Sequence, residues 1–153
     1  MRIGLVSDTH GLVRPEALRF LAGSDAIVHA GDIGSPEVLQ ALEQVAPLHA
    51  IRGNNDTADW AHRIPDTLAV ELAGVRIFVL HDLKTLAKWP APPGTQVVVC
   101  GHSHKPQVTP HPAGFVVVNP GSAGPRRFKL PVSAGELAVD TAGRFQARWV
   151  PLL

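Results

Sequence analysis

Five times along this chain an apolar run stops abruptly at a polar turn that carries an aspartate, an asparagine or a histidine. "RIGLV" runs into "SDTHG", "AIVHA" into "GD", "LHAIR" into "GNND", "VRIFVL" into "HD", and "VVVC" into "GHSH". Short β-branched runs bounded by turn residues are the signature of buried strands. Between the first three lie segments with helical spacing. "RPEALRFLAG" has Pro15 suited to a first turn and Gly23 suited to a C-terminal stop; "SPEVLQALEQV" has Ser35 as the expected N-cap and Pro36 at the first helical position. A strand, helix, strand, helix alternation of this kind demands a parallel sheet, in which the C-terminal strand ends share one edge and ligands collect in the crevice there.

Downstream the pattern changes. "LAVELAGVRIFVLHD" predicts two strands joined by a tight turn at Ala73 and Gly74, and "LKTLAKW" a short helix. "PQVTPHPAGFVVVNPGS" and "SAGELAVDTAGRFQARWV" predict hairpins with turns at Ala113-Gly114 and Ala142-Gly143. The fold class expected is α/β, with a last third that is mostly β. No linker or internal repeat divides the 153 residues, so residues 1–153 are expected to form one domain.

The five turns hold seven candidate metal ligands: Asp8, His10, Asp32, Asn54, His81, His102 and His104. Carboxylate, imidazole and amide oxygen suit Mn2+ and also Fe, Zn or Ni, rather than a soft thiolate site. Seven ligands exceed one tetrahedral ion and suit two divalent ions about 3.5–4 Å apart with a shared carboxylate. In Asp8-Thr9-His10 and His102-Ser103-His104, alternate residues of an extended segment would aim both side chains the same way. Glycines before Asp32, Asn54 and His102 permit close backbone approach.

Taken singly, each motif has a plainer reading. A lone strand-end aspartate such as Asp8 is more often a turn or cap residue, "GNN" is ordinary turn chemistry, and a lone histidine such as His81 is more often a satisfied core residue. The weight lies in five such turns in order, each after an apolar run. His29 lies inside a strand, where an ordinary core role and a supporting donor to a ligand fit equally. His49, His62 and His111 have no matching turn, and Cys100 has no activating partner in sight and is expected to be a core residue.

Composition removes several alternatives. With 14 basic and 13 acidic side chains the net charge is +1, which leaves no electrostatic footprint for nucleic acid. A single cysteine fits a reducing compartment, and no apolar run reaches signal-peptide or membrane-span length; a cytoplasmic protein is expected.

In sequence the motifs "SDTHG", "HAGD", "GNND", "LHD" and "GHSH", together with "NPGSAGPRR", resemble the calcineurin-like metallophosphoesterases, and in length the small single-domain phosphodiesterase branch of bacteria and archaea. The resemblance runs from Arg2 to about Val139. It implies a four-layer α/β/β/α sandwich with two metals at the strand ends. It implies Asp8, His10, Asp32 and His104 around one ion and Asp32, Asn54, His81 and His102 around the other, Asp32 bridging. It implies in-line attack on phosphorus by a hydroxide between the ions, and a small phosphodiester as substrate. A phosphomonoesterase of the same mechanism is the alternative activity. A protein-binding scaffold, like the retromer subunit of the same fold, is the non-catalytic alternative, and the full ligand set argues against it. A homo-oligomer is compatible with all of these.

Two positions depart from the pattern. Asn55 stands where many relatives carry a histidine that serves as general acid, and an amide cannot supply that proton. Asp82 follows His81 where the branch commonly has "HGH"; it is expected to cap the following helix, and could also place negative charge beside the second ion.

Overall fold

The computed structural model describes all 153 residues. The chain forms β1 (Arg2–Val6), α1 (Pro15–Leu21), β2 (Ala26–His29), α2 (Pro36–Glu43), β3 (Leu48–Ala50), β4 (Thr67–Leu72), β5 (Val75–Leu80), β6 (Val97–Val99), β7 (Gln107–Pro110), β8 (Val116–Asn119), β9 (Ser133–Val139) and β10 (Phe145–Pro151). Two five-stranded sheets result, in the orders β10-β9-β1-β2-β3 and β4-β5-β6-β8-β7. In the first, β1, β2 and β3 run parallel; in the second, β5, β6 and β8 do. Hairpins close the edges: β9–β10, β4–β5 and β7–β8 are antiparallel pairs. The β4–β5 turn uses Ala73 and Gly74, both at positive φ, as a two-residue hairpin requires.

The layers follow from which face each strand buries. Ile3, Leu5, Val28, Ile77, Val79, Val97, Val99 and Leu137 pack between the sheets in a core of 13 buried apolar residues. Full burial of such a side chain contributes roughly 2 kcal/mol. The other face of the first sheet packs Ile27 against Leu21 of α1 and Val38 and Leu42 of α2. The outer face of the second sheet packs Phe78, Leu80, Val98 and Cys100 under Leu83, Leu86 and Trp89. This is the four-layer sandwich expected, its last layer being a 3-10 helix, Leu83–Ala87. Cys100 is a buried core residue, and burial pushes its thiol up to about 12.

Helix starts agree with the sequence with one difference. Pro15 and Pro36 open their helices, but Ser35, though it holds the N-cap position of α2, makes no side-chain capping bond. Asp82 does cap: its Oδ1 accepts the Lys84 N–H at 3.1 Å. No helix is long and apolar enough to cross a membrane.

The two-sheet arrangement brings the C-terminal ends of β1, β2, β3, β5, β6 and β8 together, and every turn singled out above follows one of the first five.

Candidate metal centre

All seven predicted residues converge on one edge of the sandwich, in two clusters. Asp8, His10 and His104 form one, and Asp32, His81 and His102 the other, each with its potential ligand atoms within 4.8 Å of one another. In the first, Asp8 Oδ1 lies 3.3 Å from His104 Nε2 and 3.8 Å from His10 Nε2, and the two imidazole Nε2 atoms are 3.3 Å apart. In the second, Asp32 Oδ2 lies 3.2 Å from His81 Nε2. The same Asp32 oxygen is 3.8 Å from His10 Nε2, so it faces both clusters. Asn54 stands at the rim, its Oδ1 3.2 Å from His102 Nδ1.

Tautomers can be read from the bonds. His81 Nδ1 lies 2.7 Å from the Ala30 carbonyl, which can only accept, so Nδ1 carries the proton. Nε2 then faces Asp32 Oδ2 and, at 3.8 Å, Asp8 Oδ1, and in the neutral ring presents a lone pair to both. Asp8 Oδ1 and His81 Nε2 are both buried without any hydrogen-bond donor, as is His104 Nδ1. Lone pairs that face one another in a buried site need a positive charge among them. Ligand atoms held about 2.0–2.2 Å from a common ion lie about 3–3.5 Å apart, close to the spacings seen here. The donor set therefore fits divalent cations.

Protonation follows the same logic in the metal-free chain. Burial opposes charge on His81, but the hydrogen bond to Asp32 and the Asp8 charge outweigh it and raise its pKa. Burial likewise works against the charge on Asp8 and Asp32. The His104 imidazole beside Asp8, and the His81 imidazole and the Asn55 backbone N–H beside Asp32, prevail and hold both carboxyls below the usual range.

How the pairs converge differs from the extended alternation expected. Asp8, His10, Asp32, His102 and His104 all have positive φ, between 46° and 70°. The backbone folds left-handed at each, so one turn delivers two ligands while the residue between points away. Thr9 turns to His29 and Ile33, and Ser103 to Asn119. Left-handed Asp and His are tolerated better than most residues, yet such positions still cost on the order of 1 kcal/mol each and collect at functional sites.

The turns are held by residues that the motif reading did not single out. Asp56, 3% exposed, accepts the N–H groups of Ile33, Gly34 and Gly53, tying the turn after β2 to the turn after β3. Asn119, at the end of β8, donates to Gly101 O and Ser103 Oγ and accepts the Gly121 N–H, tying down the "GHSH" turn. Ser7 Oγ donates to Asp8 Oδ2 at 2.7 Å. His29 Nδ1 accepts the Gly31 N–H, so its Nε2 carries the proton and donates to Thr9 Oγ1; full burial depresses its pKa to about 4. His29 therefore bonds no candidate ligand directly; it braces Thr9 and Gly31, the neighbours of Asp8, His10 and Asp32. Gly53 and Gly101 are required for contact: a Cβ on Gly53 would strike the Asp32 carboxylate, and one on Gly101 would stand 2.6 Å from Asp8 Oδ2.

Residues 1–142 match the model of the calcineurin-like phosphoesterase superfamily domain. The chain belongs to this superfamily. A probable metallophosphoesterase of Methanothermobacter thermautotrophicus is 34% identical over 135 residues, covering 80% of this chain and 77% of the relative. Among solved structures, an archaeal phosphodiesterase superposes with a TM-score of 0.74 at 24% identity, covering 98% of this chain and 100% of that one. Vps29 of Entamoeba histolytica, solved with zinc, does so with a TM-score of 0.74 at 19% identity over the whole of both chains. At these identities the structural likeness carries the phosphoesterase fold alone. Divalent metals and phosphoester chemistry are general to the superfamily, and the metal-binding geometry above is this member's own.

Proposed function

We propose that this chain, as one domain of residues 1–153, is a cytoplasmic phosphodiesterase holding two divalent ions, Mn2+ foremost. In this reading Asp8, His10, Asp32 and His104 hold one ion, and Asp32, Asn54, His81 and His102 the other. The observation that carries it is the pair of buried, unpartnered atoms Asp8 Oδ1 and His81 Nε2, set among ligand atoms of both clusters that a shared divalent cation would satisfy together. Bound there, the ions would supply charge neutralisation at the phosphoryl oxygens and activation of water for in-line attack.

The chain's own residues set what such a centre can do. Asp32 Oδ2, within 3.8 Å of ligand atoms in both clusters, is the shared carboxylate. Ser7, Asn119 and Asp56 hold the turns that aim the ligands. Asn55 limits the substrate to esters with an acidic leaving alcohol, because it has no proton to give a leaving oxygen and its side-chain amide is already engaged, donating to Asp32 Oδ2 at 3.0 Å. A diester with an acidic leaving alcohol needs no such proton.

Metal-stripped protein given Mn2+ should hydrolyse bis(p-nitrophenyl) phosphate, and p-nitrophenyl phosphate more slowly. Turnover of the monoester alone would replace this reading with a phosphomonoesterase. Failure on both with Mn2+, Fe2+, Zn2+ and Ni2+ would leave a scaffold like the retromer subunit.

A further inference from the structure

Two cavities of about 200 Å³ flank the proposed centre, one on each side. Their linings differ. The cavity beside Asn54, His81 and His102 is walled by Trp89, Asp82, and the ion pair Arg52–Asp66. Arg52 is spent there, its Nε 2.8 Å and its Nη2 3.3 Å from the two Asp66 oxygens, so this side has no free guanidinium. The cavity beside His10 and His104 is walled by Pro125, Arg126 and Arg127, with no carboxylate in its lining.

Exposed loop arginines are ordinarily solvated, and two observations set this pair apart. Arg126 and Arg127 form no ion pair with a carboxylate, as Arg14, Arg63 and Arg76 also do not, but these two line the cavity that touches His10 and His104. The root of their loop is also fastened to the metal-site turn. Ser122 Oγ donates to Asp8 O at 3.0 Å, Ala123 N–H to Ser7 O at 3.0 Å, and Arg14 Nε to Gly124 O at 2.9 Å. Gly124 lies so close on Thr9 that a Cβ would strike the Thr9 carbonyl. Arg126 therefore emerges two residues beyond a fixed contact with the segment that carries Asp8 and His10.

We infer that Arg126 and Arg127 form an anion subsite for a second phosphate on the substrate's non-leaving substituent. The guanidinium fork matches phosphate oxygens, whereas the opposite cavity offers no unpaired arginine or lysine and an apolar wall at Trp89, so the substrate is oriented with its neutral leaving group there. The inference rests on the phosphodiesterase reading, and names the substrate class as a phosphodiester bearing a further phosphate.

Two chromogenic substrates separate the readings: the p-nitrophenyl diester of thymidine 5′-phosphate, and the same ester with an added 3′-phosphate. The wild type should show a KM roughly ten-fold lower for the second. Arg126→Ala/Arg127→Ala should lose that preference, while kcat on the first ester stays within about two-fold. Lys129→Ala, in the same loop but outside the cavity lining, should behave as wild type. Equal KM values in the wild type, a preference surviving in the double variant, or an equal loss in Lys129→Ala would each overturn the subsite. If neither ester is turned over, the phosphodiesterase reading fails, and calorimetric binding of thymidine 3′,5′-bisphosphate decides the subsite alone. Roughly ten-fold weaker binding by the double variant supports it; unchanged binding ends it.

Discussion

Asn55 grips Asp32 twice: its backbone N–H donates to Oδ1 at 2.9 Å and its side-chain amide to Oδ2 at 3.0 Å. The residue that stands in place of a general acid is thus a support for the shared carboxylate. Asn55→Ala keeps the backbone bond and deletes the other. Metal affinity should fall about ten-fold, as loss of a ligand's outer partner does. The dependence of rate on leaving-group acidity, steep in the wild type, should keep its slope across a series from nitrophenyl to alkyl diesters. A slope that changed would give Asn55 a part in proton transfer.

Asp32→Ala should reduce activity more than loss of any residue facing one cluster, by roughly a thousand-fold or beyond, because its Oδ2 faces both clusters. Metal content per chain after dialysis is the measurement. Two ions retained with normal turnover would remove Asp32 from the bridging role.

His102→Ala and His104→Ala should differ although the residues are neighbours, since each faces a different cluster. Calorimetric titration of each metal-free variant should show one strong site and one weakened by about ten-fold or more. Two intact sites in either variant would return that histidine to an ordinary structural part.

Asp56→Ala tests the clamp rather than the chemistry. Three backbone N–H groups, those of Ile33, Gly34 and Gly53, lose their acceptor. The cost should be about 3 kcal/mol, lowering Tm by roughly 6–12 °C in a chain of this size. A Tm within about 2 °C of wild type would show that the turns hold without it.

His29 predicts a pH dependence. Its native pKa of about 4 lies below its ordinary 6.5, so the unfolded chain binds the extra proton between those values. The contribution to stability, about 3 kcal/mol, is full above pH 6.5 and is lost as pH falls through about 4. Urea midpoints of metal-free wild type and His29→Gln should therefore converge as pH drops across that window. The raised pKa of His81 acts oppositely, its contribution being lost as pH rises, but it is common to both proteins and cancels in the difference. A constant gap across the window would contradict the neutral, buried His29.

The strand ends were legible because each candidate ligand directly follows an apolar run, and a parallel sheet makes such positions neighbours. Asp56 was not singled out because "GNND" offers three polar residues in a row and only the turn's geometry decides which faces inward. Asn119 is the last residue of β8, and its partner turn lies 16–18 residues earlier, a pairing made by the sheet and not by spacing. The left-handed backbone at Asp8 and His104 has no sequence signature, since neither is glycine. Pairing of β9 with β1, from opposite ends of the chain, leaves no local trace either.

Five of the proposed ligands occupy backbone that glycine would adopt with less strain. At Asp8, His10, Asp32, His102 and His104, then, the residue best for the backbone and the residue needed for chemistry are different amino acids. A lineage selected for heat resistance alone would drift toward glycine at these positions first. What it gained in thermal tolerance it would lose as a catalyst, so a member of the fold that turned to other work could shed its metals and become sturdier in the same step.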